Sequence, residues 1–402
     1  MTLISFFAFS QNEEKKEIEL KWSGYVKSDF FWDSRQTVSA REGHFLLFPA
    51  AVSKDPDGKD INATPNLNFL AIQSRLSLSI AGPDALGAKT SAKIEGDFFG
   101  QLNDNINLFR LRHAYLKLKW ENSELLFGQY WIPMFVTGCF PGTVSFNTGV
   151  PFQPFGRNPQ IRFSHKIGKI KFIVIASTQR DYASRGVSGA TGTYLRNSSM
   201  PELNGQIHFG KGKTFLAGVG AGYKQILPQI ATGNGYVTNQ TVGGFTSIAF
   251  MKIKTSPVTL KFEGVYGQNF PDVLSIGGFA ITDSTDVTKG FVTYTPFTVM
   301  SSWMDIETNG KKMKVGVYVG YSQNLGTGKQ IIGAVYGLGT TIQSIFRVSP
   351  RIIYNVGQVR FALETEYTSA NYAASYDVKG VPEDLTSADN LRILFAAYYF
   401  FK

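Results

Sequence analysis

Asp389-Asn390-Leu391-Arg392-Ile393-Leu394-Phe395-Ala396-Ala397-Tyr398-Tyr399-Phe400-Phe401-Lys402 ends the chain. Its odd positions Leu391, Ile393, Phe395, Ala397, Tyr399 and Phe401 share one face of an extended strand. That face is apolar and tipped with aromatics, which is what a transmembrane β-barrel needs to close on its first strand and anchor at the bilayer interface. The last strand of a soluble β-sandwich would also read this way, so the rest of the chain has to decide.

Composition favours the barrel. Among 402 residues there are 41 Gly, 33 Phe and 18 Tyr but one Cys, and no apolar run approaches the roughly 20 residues of a membrane helix. A membrane protein without such helices must close its sheet, because lipid satisfies no open backbone edge. No linker divides the chain into the two or more sandwiches a soluble all-β protein of this size would form. Cys139 stands alone, so no intrachain disulfide forms. Residues 1–10 read as a signal peptide with a clipped start: Leu3 to Phe9 is apolar and Ala8-Phe9-Ser10 resembles a cleavage site, but a basic leader is missing. Residues 11–402 then form one barrel domain.

Short turn signals occur at Gly82-Pro83-Asp84, Glu121-Asn122-Ser123, Ile167-Gly168-Lys169, Gly210-Lys211-Gly212, Thr255-Ser256-Pro257, Asn309-Gly310-Lys311 and Asn355-Val356-Gly357. Between them lie eight longer connections, near 36–66, 100–105, 132–158, 181–198, 227–241, 270–287, 324–338 and 373–388. Seven turns and eight loops make about 16 antiparallel strands, with both ends on the periplasmic side. A barrel of that size leaves an aqueous channel, which argues for transport and against a small enzyme or anchor barrel.

Alternation assigns faces. Leu20, Trp22, Gly24, Val26, Ser28, Phe30 and Trp32 should face lipid, and Lys21, Ser23, Tyr25, Lys27, Asp29 and Asp33 the lumen. In the second strand Leu70, Ile72, Leu76, Leu78 and Ile80 should face out and Gln73, Arg75, Ser77 and Ser79 in. Lys89, Ser91, Lys93, Glu95 and Asp97 should face in from the third. The fourth starts with Arg110 and Arg112 inward and His113 outward, but then places Leu116, Leu118 and Trp120 inward and Lys117 and Lys119 outward. A bulge or a shielded subunit interface is expected there.

Six segments in order, Gly24-Tyr25-Val26-Lys27-Ser28-Asp29, Ser74-Arg75-Leu76, Ile94-Glu95-Gly96-Asp97-Phe98-Phe99, Arg110-Leu111-Arg112-His113-Ala114-Tyr115, Phe127-Gly128-Gln129-Tyr130-Trp131 and Asn158-Pro159-Gln160-Ile161-Arg162, resemble the DcaP-like outer-membrane porins. They span the first 165 residues or so; beyond them only the strand rhythm matches. The resemblance implies a homotrimeric porin in the bacterial outer membrane, with a third loop folded into the lumen and a preference for small anionic solutes such as carboxylates. Two departures are the lack of a counterpart to the helical N-terminal segment of some members, and Lys402 after the closing aromatic.

The segment 132–158 carries Phe135, Phe140, Phe146, Phe152 and Phe155 with four prolines. So apolar a loop should pack inside the pore as a constriction, or else latch onto a neighbouring subunit. The net charge of +10 suggests anions, yet much of it sits on lysines at the short turns, where headgroups or solvent would meet it. The mid-strand set Arg75, Lys93, Arg110, Arg112, Arg162, Arg347, Arg351, Arg360 and Arg392 could form a lumenal ladder for carboxylate or phosphate. The neighbouring Glu95, Asp97, Glu364 and Glu366 allow the opposite reading, structural ion pairs along the wall.

Other signals lead nowhere. Gly212-Lys213-Thr214 lacks the first glycine of a phosphate loop. Asp55-Pro56-Asp57-Gly58-Lys59-Asp60 is short for a calcium loop and reads as a turn. The four histidines are scattered, and no serine is paired with one as a barrel lipase would need. The expectation is therefore passive diffusion of small hydrophilic, anionic solutes through a pore in outer-membrane lipid, with no cofactor, metal, catalytic residue or nucleic-acid partner. The alternatives are a barrel lipase or protease, or a non-conducting structural or adhesive barrel.

Overall fold

A computed structural model describes residues 17–100, 103–210 and 212–402. The proposed signal peptide and the turn residue Lys211 lie outside them.

Sixteen antiparallel strands form the wall. They are β1 (Glu19–Asp33), β2 (Asn66–Leu70 continuing as Arg75–Ala81), β3 (Lys89–Asp97), β4 (Arg110–Lys119), β5 (Ser123–Trp131), β6 (Arg157–Ile167), β7 (Ile170–Ser177) and β8 (Glu202–Phe209). The second half is β9 (Phe215–Ile226), β10 (Val242–Lys254), β11 (Val258–Gln268), β12 (Thr298–Thr308), β13 (Met313–Asn324), β14 (Ile342–Val356), β15 (Val359–Tyr376) and β16 (Pro382–Phe401). Each strand pairs with its sequence neighbours. The closing strand then lies along β1, from Gly24 opposite Phe401 to Asp33 opposite Arg392. No edge is left open, as a lipid environment demands. The outer faces of β1 and β16 show the expected aromatics, with Trp22 and Tyr399 more than half exposed. The molecule is an outer-membrane β-barrel.

All seven predicted turns join strands where expected. The last loop does not match. Pairing of β15 with β16 continues to Tyr376 opposite Pro382, so most of 373–388 is strand and only a tight turn remains. The 270–287 connection also runs further. Within it Gly277–Asp286 pairs with Phe291–Pro296 and with Val335–Leu338 from the next loop, giving a small external sheet.

Two strands change face midway, and each change has a countable cause. Opposite the four residue steps from Asp29 to Tyr25, β2 takes five, from Leu70 to Arg75. The extra residue reverses the phase. Leu67 and Phe69 therefore face lipid on one side of the break and Leu76 on the other, while Ile72, expected outside, is buried and Leu70 turns partly inward. In β4 the register skips between Glu95 opposite His113 and Gly96 opposite Leu111. The bulge turns both Arg112 and His113 inward, so His113 does not face lipid. Past it Leu116 is exposed to lipid and Lys117 points in to Glu124, the reverse of simple alternation.

Candidate functional site

The lumen is filled from within by its loops. Residues 132–156 between β5 and β6 fold inward, and Phe135, Phe146, Phe152 and Phe155 are buried there. Phe140 is the exception, 39% exposed beneath Lys261. The first loop enters as well, which alternation did not foresee. Phe45–Pro49 pairs with Thr37–Ala40 and is buried throughout. Phe45 packs on Phe146 and Phe155, each at 5.4 Å, while Phe99 lies 4.1 Å from Phe146. The interior thus holds an aromatic core that a water-filled tube would lack.

Arg347 and Arg392 of the predicted ladder anchor these loops, while Arg351 and Arg360 find their partners within the wall. Arg347 donates to the carbonyls of Val150 and Leu47, at 2.8 Å each, and faces Glu366. Glu364 accepts from the backbone amide of Val144, and Asn147 donates to Glu366 at 2.9 Å. Tyr318 donates to the Gly149 carbonyl and Lys261 to that of Phe140. Arg392 forks onto Asp33 and donates to the Gly43 carbonyl at 2.7 Å. Arg351 is held by Asp305 and Glu307. Arg360 donates to Asn355 and lies over Phe400. Arg347, Arg351 and Arg392 are thus ion-paired, whereas Arg360 meets a neutral amide and aromatic rings.

The other five members lie along β2–β6, across from the strands that hold the constriction loop. Glu95 and Asp97 project inward two residues apart on β3, and cross-strand pairing brings arginines to them. Arg112 bonds Glu95 at 2.9 Å and Asp97 at 3.0 Å, while Arg75 lies 3.3 Å from Asp97 and Lys93 2.8 Å from Glu95. Arg75 and Lys93 keep 19% and 29% side-chain exposure, unlike Arg112. Arg110 reaches up to Asp181 in the fourth loop at 2.6 Å, and Arg157 grips the same carboxylate. Burial pushes the Asp181 carboxyl up, but Arg157, Arg110 and Arg41 outweigh it and hold it well below the usual carboxylate range. Around Glu95, Asp97 and Asp181 stand Arg75, Lys93, Arg110, Arg112 and Arg157 from this wall and Arg41 from the first loop. The balance is three positive charges.

Open spaces lie on both sides of the constriction loop. On the external side a cavity of about 480 Å³ is lined by Arg41, Arg180, Arg185 and Arg196 with Asp181 and Tyr182. A smaller one of about 220 Å³ adjoins residues 133–138 and is lined by Arg162, Lys171, His208 and Tyr130. There Arg162 donates to the Trp131 carbonyl and stacks over Tyr130. Sequence reading missed Arg41, Arg157, Arg180 and Arg185, since all but Arg157 lie in loops and only mid-strand cations were sought. The run Gln179-Arg180-Asp181-Tyr182-Ala183-Ser184-Arg185 was the available signal.

Asp55 and Asp60 are occupied by backbone amides, Asp55 accepting from Asp57 and Lys59 and Asp60 from Ser53 and Asn62. Among the described residues no group of metal-ligating side chains gathers.

The closed wall, inward loops and charged lumen define a sixteen-stranded outer-membrane barrel. Three solved structures share that fold. The outer membrane channel DcaP of Acinetobacter baumannii matches with a TM-score of 0.70 at 18% identity, over 99% of this chain and 100% of that one. The anion-selective porin from Comamonas acidovorans matches at 0.56 with 11% identity, over 96% and 100%. The trimer form of OmpT, an outer membrane protein of Vibrio cholerae, matches at 0.55 with 9% identity, over 96% and 100%. No protein-family model and no curated protein matches. The likeness to DcaP agrees with the motif resemblance at the level of fold.

Proposed function

We propose that this chain is a passive diffusion channel for small hydrophilic solutes that favours anions, carboxylates among them. The observation that carries the reading is the unbalanced wall of β2–β6, where partly exposed Arg75 and Lys93 stand on the side of the lumen not taken up by the loop's anchors. Fixed cations in a narrow, low-dielectric passage raise the local concentration of anions. That one protein of similar fold is an anion-selective porin adds support. A homotrimer is the assembly that the motif resemblance implies, and a trimer form exists among the similar folds. The phase break in β4 no longer counts toward it, because the bulge accounts for that break.

Planar-bilayer recordings test the reading. The native protein should open lasting channels whose reversal potential in a salt gradient shows anion preference. An Arg75→Ala, Lys93→Ala double variant should lose most of that preference. Arg112 is unsuited to the test, since it is itself buried and its removal takes a partner from two buried carboxylates at once. Cation preference in the native channel would refute the selectivity, and silence together with lipid or peptide turnover would favour the enzyme.

A further inference from the structure

The external cavity has a property that simple anion attraction does not require. Three of its four arginines, Arg180, Arg185 and Arg196, have no carboxylate paired with them among the described residues. Arg41 donates to the Gly100 carbonyl and the Tyr182 hydroxyl, and Arg196 to the Thr193 hydroxyl, all uncharged acceptors. Among the described residues Arg180 and Arg185 have no side-chain hydrogen bond or ion pair. The one carboxylate of the lining, Asp181, is already held by Arg110 and Arg157 from the wall, and it also answers the charge of Arg41. Asp272, just behind the lining, is tied to Lys224 and Gln179. Arg180, Arg185 and Arg196 therefore line a space of about 480 Å³ with no carboxylate among the described residues paired to them.

The chemistry of the occupant follows from that count. A monoanion or a dianion leaves at least one of these three charges uncompensated. Guanidinium groups bind oxyanions through paired N–H donors, and several of them converging on one space suit an ion whose charges are spread over several oxygens. From this balance we infer that the vestibule is a binding site for small polyanions carrying three or more negative charges, of the linear polyphosphate or polycarboxylate kind. The inference rests on the anion-channel reading, since it treats this cavity as the external mouth of that channel. A bound polyanion sits above the aromatic constriction and obstructs the smaller anions that pass it.

The probe is inorganic tripolyphosphate, added to one side of a bilayer at low salt, where screening is weak. External addition should produce resolvable current blocks at concentrations where acetate produces none. An Arg180→Ser, Arg185→Ser double variant should weaken the block about tenfold or more, the loss of at least one charged hydrogen-bond pair, with its open-channel current showing that it has folded. Equal block from both sides, or a block the double variant leaves unchanged, overturns the site. Anion preference without any block overturns the site alone. Cation preference in the native protein overturns the channel reading and the site with it.

Discussion

His44 enters the lumen from the first loop and presents Nε2 to Asp29 at 2.8 Å, wholly buried. Burial lowers its affinity for a proton, Asp29 works against that, and Lys27 and Arg392 add to it, so the net shift is downward. A neutral ring that donates one hydrogen bond is the folded form. Because the folded value lies below the unfolded one, near 6.5, the stabilisation is complete above that pH and fades as pH falls below it. Between pH 7 and about pH 5 the amides of residues 41–48 should therefore lose protection progressively, once exchange rates are divided by the intrinsic rate at each pH. A His44→Asn variant should be less protected at pH 7 but show a flatter dependence on pH. An equally steep slope in the variant would assign the effect elsewhere. The same neighbourhood shows why partners escape sequence reading: Arg392 and Asp33 meet only because the last strand closes on the first, with 359 positions between them.

At the scale of elements, the constriction loop is held by charged and polar groups on β1, β11, β13, β14 and β15. Backbone amides and carbonyls make most of those bonds, so the loop's path depends on the wall more than on its own side chains. Replacing Glu364 and Glu366 together by glutamine keeps the shapes but removes the carboxyl that accepts from Val144 and the charged partner that Asn147 and Arg347 share in Glu366. Charge-assisted hydrogen bonds are worth about twice neutral ones, and the variant should open with a larger and noisier single-channel conductance. Unchanged conductance would mean that aromatic packing alone seats the loop. Density of phenylalanine made this loop legible in the sequence. The first loop carried a comparable signal in Phe45-Leu46-Leu47-Phe48-Pro49, but a five-residue apolar run inside a long connection also fits a sheltered external turn. Strand faces were legible wherever alternation held, and were lost at β2 and β4, where one inserted residue reverses everything beyond it.

For the whole molecule the bilayer is the solvent of the outer face, and the interior is the side that carries polar groups. Met304 on β12 is 45% exposed on that outer face, flanked across the sheet by Phe262 and Val319. Met304→Arg should cost about 2–4 kcal/mol if it lies near the bilayer midplane, and less toward either interface. Urea titration of the protein refolded in vesicles would read this, and a neutral result would mean that this face is covered by protein. Strand number, turn positions and outer aromatics were readable because lipid enforces them on every strand. The charge balance of the lumen was not, because it depends on which loops come inside.

Val144 is touched by the first strand and by the fifteenth at once: Lys27 donates to its carbonyl and Glu364 accepts from its amide. Contacts from this loop reach across 117 and 220 positions of chain, so the two cannot be held together while the sheet is an open ribbon with its two edges apart. Loop closure of that length carries its entropic cost before any contact rewards it. Insertion of the loop and zipping of the final seam are then one kinetic event. A chain that sealed its barrel with the loop outside would have to break β1 from β16 again to correct the error.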